Sequence, residues 1–202
     1  MTRPRGKGDT MAEVKRHDRI LDPGDCVLVV VDVQEKLFPS VFEKELLEVD
    51  VARLIKAAMV MKVPILVTEQ NPRGLGTTIP SIRKELGEHY RPIEKDSFSC
   101  WLAPAFRSKL AQMERGQILM AGIESHVCVE QTALDLCAEG YQVHIITDAV
   151  TSRTQRNQLV GFRKMESHGS VLTSTESAIF ELLVRSGTPV FKELLPMLKE
   201  MK

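Results

Sequence analysis

The chain has 202 residues, 43% hydrophobic and 27% charged, enough for one domain with a full core and too few for two of ordinary size. Lysine plus arginine equals aspartate plus glutamate at 27 each, so no net field draws the protein to nucleic acid or to an anionic membrane. The apolar run Val27–Val31 is far too short to span a bilayer.

Residues 1–19 carry Arg3, Arg5, Lys7, Lys15, Arg16 and Arg19 with almost no apolar content. They read as a flexible basic tail, with residues 20–202 as the folded domain. The tail has no apolar core of a secretory signal, and Asp9, Glu13 and Asp18 argue against a transit peptide. Val27–Val31 is β-branched and apolar on both faces, the pattern of a buried parallel strand, and ends at Asp32. From Glu43 to Met61 the apolar spacing becomes helical through Leu46, Leu47, Val51, Leu54, Ile55, Ala58 and Met59. Pro64–Thr68 is a second strand, and Asn71–Gly76 is a loop by composition. Arg91–Lys95 is a short strand, followed by a helix over Ala103–Glu114. Gln117–Ala121 is a fourth strand ended by Gly122, and His126–Glu139 is a helix closed by Gly140. Gln142–Thr147 and Val171–Ser174 complete the strands, separated by a helix over Gln155–Ser167. Helices over Glu176–Arg185 and Val190–Met201 follow.

Strand then helix, repeated about six times, specifies an α/β fold: a single doubly wound domain, a parallel sheet with helices on both faces. Ligands of such folds bind at the carboxyl ends of the strands. There the inferred order places Asp32, Lys95 and the turn Gly122–Cys128 together. Each residue has an ordinary alternative. An aspartate after a strand caps turns, a strand-end lysine is a solvated charge, and a cysteine near a helix start is a small core residue. Their meeting on one rim argues for chemistry. A cysteine in the first helical turn, beside an ammonium, is expected to favour the thiolate. An aspartate can take the thiol proton and return it to a leaving group. Backbone N–H groups of the turn can hold an oxyanion.

Val30-Val-Asp32-Val-Gln34, Glu94-Lys95 with Ser97-Phe-Ser99, and Gly122-Ile-Glu-Ser-His-Val-Cys-Val129 resemble three motifs of the isochorismatase-like cysteine hydrolases. The resemblance runs from about Cys26 to Glu193. Thr68–Gly76, Gln131–Asp135 and Asp148–Arg153 are most similar to the isochorismatase-domain-containing subgroup. The resemblance implies a catalytic triad of Asp32, Lys95 and Cys128. It also implies a cis peptide at Ile123–Glu124, with the N–H groups of Glu124 and Cys128 as the oxyanion hole. It points to a hydrolase acting on a small amide-like or related carbonyl substrate through a thioester. Nicotinamidases of this superfamily hold a metal through an aspartate and histidines after the second strand. Here that place reads Glu69-Gln70-Asn71-Pro72, so no metal or other cofactor is expected.

Phe98 and Trp101, with Leu102, follow Lys95 closely and offer an apolar wall for substrate, or ordinary core. Gln34 is placed to hydrogen-bond Asp32 or substrate. His126, two positions before Cys128, does not face it on a helix and reads as structural. Arg153 is either a binder of an anionic substrate or a solvated loop charge. The four cysteines form no CxxC pair and read as reduced thiols, as in the cytoplasm. Competing functions are an idle binding scaffold, an isochorismatase-type vinyl-ether hydrolase and a ribonuclease. The neutral charge and lack of a basic aromatic surface argue against nucleic acid. Val190, Phe191, Leu194, Leu195 and Leu198 pack either on the body or in a homo-oligomer.

Overall fold

The computed structural model describes residues 16–201. Strand β1 (Cys26–Val31) is buried at every position, as its unbroken β-branched run requires. Helix α1 (Lys44–Val60) buries Leu47, Val51, Leu54, Ile55 and Ala58 along one stripe. Strand β2 (Ile65–Gln70) is followed by a one-turn helix, α2 (Pro72–Leu75), and by α3 (Pro80–Leu86). Both helices begin with proline, whose fixed φ and missing N–H suit a first turn. Asn71–Gly76 is therefore helical in part rather than the loop its composition suggests.

Strand β3 (Ile93–Lys95) leads through a short 3-10 turn to α4 (Pro104–Ala111) and then to β4 (Gln117–Ile123). The helix expected from His126 begins instead as a π-type turn, Ser125–Val129. Regular α5 runs only from Glu130 to Ala138. Strand β5 (Gln142–Thr151) is longer than its apolar core, because a register shift opposite Met120 and Gly122 lets it continue past Asp148. Helix α6 (Gln155–Ser167), strand β6 (Val171–Thr173), α7 (Thr175–Leu183) and α8 (Pro189–Lys199) complete the chain. The hydroxyls of Thr154, Ser174 and Thr188 accept N–H bonds at the starts of α6, α7 and α8.

The six strands are all parallel in the order β3-β2-β1-β4-β5-β6. Chain direction across the sheet reverses between β1 and β4, which opens a crevice at their carboxyl ends. One buried cluster joins Leu28 and Val30 of β1 to α1, α3, α7 and α8. The other joins Val27, Val29 and Val31 to α4, α5 and α6. Gly122 has φ +121°, and a Cβ there would stand 2.1 Å from the Val31 carbonyl oxygen. Only glycine lets β4 pass so close to the end of β1.

Leu194, Met197 and Leu198 are buried against the chain's own body, with Val190 and Phe191 packed on the same cluster. The apolar C-terminal residues are thus explained within one chain. Arg16 donates to the carbonyls of Leu21 and Glu181, and Arg19 to that of Gly169. This end of the tail expected over residues 1–19 is tied to the body, while its residues 1–15 lie outside the described residues. No helix among the described residues is long and apolar enough to cross a membrane.

Candidate active site

Asp32 ends β1 in the left-handed conformation (φ +51°) and is fully buried. Its Oδ1 accepts from Thr68 Oγ1 at 2.7 Å and its Oδ2 from Lys95 Nζ at 2.7 Å. Lys95 comes from the end of β3, two strands away from β1, and its side chain crosses the end of β2 to reach the carboxylate. Its ammonium also donates to Gln70 Oε1 at 2.8 Å and to the carbonyls of Ser97 and Phe98 at 3.2 Å each. An ammonium has three N–H groups. Two take the short contacts and the third is shared by the two carbonyls, so none is free for a ligand. Burial alone would lower the Lys95 pKa, but the Asp32 carboxylate and the neighbouring Cys100 and Cys128 sulfurs outweigh it and hold it above its ordinary value.

Cys128 lies in the π-type turn with 6% of its surface exposed. Burial first, and the Asp32 carboxylate second, push its thiol far above the ordinary value, while Lys95 pulls the other way. The expected resting thiolate is therefore corrected. The protonated thiol is favoured beside a carboxylate whose second oxygen already accepts from an ammonium. Cys128 also sits before the start of α5 rather than in its first turn, which weakens the helix-dipole contribution.

Cys100 is a second buried thiol at the same place. Its Sγ donates to Thr68 Oγ1 at 3.7 Å, and its N–H to Thr132 Oγ1 at 2.8 Å. Thr132 in turn donates to the Cys128 carbonyl at 2.6 Å. Burial and Asp32 raise the Cys100 pKa to about 11.

The Ile123–Glu124 peptide is cis. Among the described residues no oxygen accepts the Glu124 N–H. The Glu124 carboxylate pairs with Arg153, through Nε at 2.6 Å and Nη2 at 3.1 Å. Arg153 is thus neither a free solvated charge nor an open anion binder. His126 Nδ1 lies 2.6 Å from Ser152 Oγ and its Nε2 3.3 Å from Asn157 Nδ2, so both ring nitrogens are engaged away from Cys128. The Ser125 hydroxyl is buried without a protein partner.

The structure brings Asp32, Lys95 and Cys128 together and engages Gln34 and Trp101, two of the expected pocket residues, in contacts with other groups. Both ends of the Gln34 amide are consumed by backbone: Nε2 donates to the carbonyls of Gln70 and Gly76, and Oε1 accepts from Gln70 N–H. The Gln34 side chain therefore clamps the end of β2 and not the Asp32 carboxylate, although the Gln34 backbone N–H donates to the Asp32 carbonyl at 2.7 Å. Trp101 packs edge-on against Tyr141, with ring centroids 6.0 Å apart, and beneath the Arg107 guanidinium. Phe98 is 55% exposed, and its carbonyl accepts from Lys95 Nζ. A groove lined by Asn71, Pro72, Arg73, Glu94, Lys95 and Asp96 opens beside the same rim.

Thr68, Gln70 and Thr132 are site residues that sequence reading passed over. Thr68 and Gln70 carried a signal: two positions apart on a strand, at its carboxyl end, they share a face. Glu69 between them points to the other face, where its Oε1 accepts from Thr78 N–H, Thr78 Oγ1 and the Tyr90 hydroxyl. Among the described residues no three His, Cys, Asp or Glu side chains are grouped to hold a metal ion.

Fold and site together define an open, all-parallel α/β protein with a buried acid–lysine–thiol cluster at its topological switch. The isochorismatase domain model matches residues 26–177, and the chain belongs to this family of hydrolase fold. It is 40% identical over 184 residues to isochorismatase domain-containing protein 2A of Mus musculus, covering 90% of this chain and 86% of that one. It is 36% identical to the secreted isochorismatase effector Isc1 of Phytophthora sojae, covering 92% and 90%. The MAR1 ribonuclease structure from Caenorhabditis elegans superposes with a TM-score of 0.85 at 35% identity, covering 90% and 93%.

Proposed function

We propose that this chain is a cysteine hydrolase of small amide-like or related carbonyl compounds. The observation that carries the reading is the Asp32 carboxylate, buried, fixed on one oxygen by Lys95 and on the other by Thr68, and close enough to Cys128 to push its thiol pKa up. In this reading Cys128 Sγ attacks the carbonyl carbon as its proton passes to Asp32. The N–H groups of Glu124 and Cys128 receive the oxyanion. Asp32 then hands the proton to the leaving amine, which departs and leaves a thioester. Water, deprotonated by the same carboxylate, releases the acid and restores the thiol. Lys95 touches no substrate. It fixes one oxygen of Asp32 and opposes that carboxylate's effect on the thiol.

A screen of small amides and esters tests this, with mass spectrometry of the quenched enzyme. We expect an acyl mass on the Cys128 peptide, absent in Cys128→Ser, and turnover reduced at least about a hundredfold in that variant. Full turnover by Cys128→Ser would sink the nucleophile and favour vinyl-ether chemistry, which needs no thiol. No metal enters the reading, and turnover is expected to survive chelation. The ribonuclease name of a structural relative makes RNA the second substrate class to try. The balanced charge of 27 against 27 favours a small molecule. The four cysteines are free thiols, which suits a reducing compartment such as the cytoplasm. Self-association belongs to the same reading, with Phe98 and Leu102 exposed beside the site. Light scattering that shows a monomer at working concentration would end it.

A further inference from the structure

The segment from Ser152 to Lys164 grips the site turn at successive points. Ser152 and Asn157 hold the two ring nitrogens of His126. Gly161 backs so closely against the turn that a Cβ there would stand 2.5 Å from the Ser125 carbonyl oxygen. Lys164 Nζ donates to Glu130 Oε1 at 2.5 Å. The foremost grip is Arg153 on Glu124, a two-point contact at 2.6 and 3.1 Å. Its partners differ in exposure: the Glu124 side chain is 7% exposed and that of Arg153 63%. A nearly buried carboxylate is thus covered from the solvent side by one guanidinium. Among the described residues no other cation pairs with it.

We propose that Arg153 is a positioning residue for the oxyanion site, acting through the Glu124 carboxylate on the backbone N–H of the same residue. The inference rests on the cysteine-hydrolase reading above. A forked contact fixes orientation as well as distance, and an ammonium cannot reproduce it. Without Arg153 a nearly buried charge is left unpaired. The carboxylate then turns toward water and carries its own backbone with it. An oxyanion donor works only within a few tenths of an ångström of its place, so that movement is felt where negative charge develops on oxygen. Steps that need only the thiol are spared.

Two reagents separate these steps at Cys128. p-Nitrophenyl acetate acylates the sulfur through a tetrahedral oxyanion: the S–C bond forms, p-nitrophenolate leaves, and the thiol proton goes to Asp32. Iodoacetamide alkylates the same sulfur by displacing iodide, with no oxyanion. Both labels are located by mass spectrometry, with a thermal melt as the folding control. In Arg153→Ala we expect acylation to slow about tenfold or more, with alkylation within about twofold of wild type, and Arg153→Lys to lie between. Adding Glu124→Gln to Arg153→Ala removes the orphaned charge and should recover most of the acylation rate. The acyl probe carries no anion, so an arginine that bound only a substrate anion would leave its rate unchanged. That result, an equal loss in both reactions, or no recovery in the double variant would each overturn the proposal. Failure of wild-type Cys128 to take either label, while accessible, would overturn the hydrolase reading itself and this inference with it.

Discussion

Asp32 holds two roles in conflict. Its charge keeps the Cys128 thiol protonated, second only to burial, and the same carboxylate is the only base in the cluster able to accept that proton. Asp32→Asn separates the two. The thiolate should then form at lower pH, so the midpoint of iodoacetamide labelling against pH moves down relative to wild type. Turnover should nonetheless fall by about a hundredfold to ten-thousandfold, because the amide cannot accept a proton. A midpoint that rises would mean that Asp32 does not act on the thiol. The sequence could supply the three residue types but not this balance. Whether Cys128 is ionised depends on how deeply it is buried and how far Asp32 outweighs Lys95, and both are tertiary quantities. Gln34 shows the same limit. Its position two residues after Asp32 says nothing of the backbone groups that capture its amide.

At the scale of elements, the strands that build the site were the most legible. β1 and β4 are largely apolar runs followed by the residues of the candidate site. The short helices after β2 were not, because residues 71–80 mix proline, glycine and threonine in a pattern shared by loops and first helical turns. The π-type start of the turn before α5 was also invisible, since its apolar spacing is that of a helix. Gly161 was read only as part of a helical stretch, although it lets α6 lie against the backbone of the site turn. Gly161→Ala improves helix propensity by about 1 kcal/mol yet places a carbon where no neighbour can yield cheaply. We expect overpacking to win, with a net loss of about 1–3 kcal/mol in urea denaturation and acylation of Cys128 falling alongside. A more stable variant would show that the turn and α6 move apart without consequence.

Across the whole molecule, the sheet order puts the crevice beside the candidate site where an α/β reading expects it, between β1 and β4. One core residue sits oddly in that frame. His144 of β5 is buried with neither ring nitrogen hydrogen-bonded to protein. Burial chiefly lowers its pKa from 6.5, with Glu181 opposing and Arg19 assisting. The folded state therefore refuses a proton that the unfolded chain accepts below about pH 6.5. Stability is retained above that pH and declines as pH falls through it, toward the lower folded-state value. Urea midpoints at pH 7 and pH 5 should differ more for wild type than for His144→Leu. Equal pH dependence in the two would remove His144 as the cause.

The four thiols are spread through this architecture as a graded set of clocks. Cys26 lies in the central strand, with its pKa raised by burial to about 12, Cys100 beside the acid–lysine pair, Cys128 in the turn and Cys137 half-buried on α5. Under native conditions the wholly buried Cys26 and Cys100 can be labelled only when their own surroundings open. The order in which they react would therefore record how this protein comes apart, from the surface of one helix to the middle of the sheet. Cys26 should wait for global unfolding.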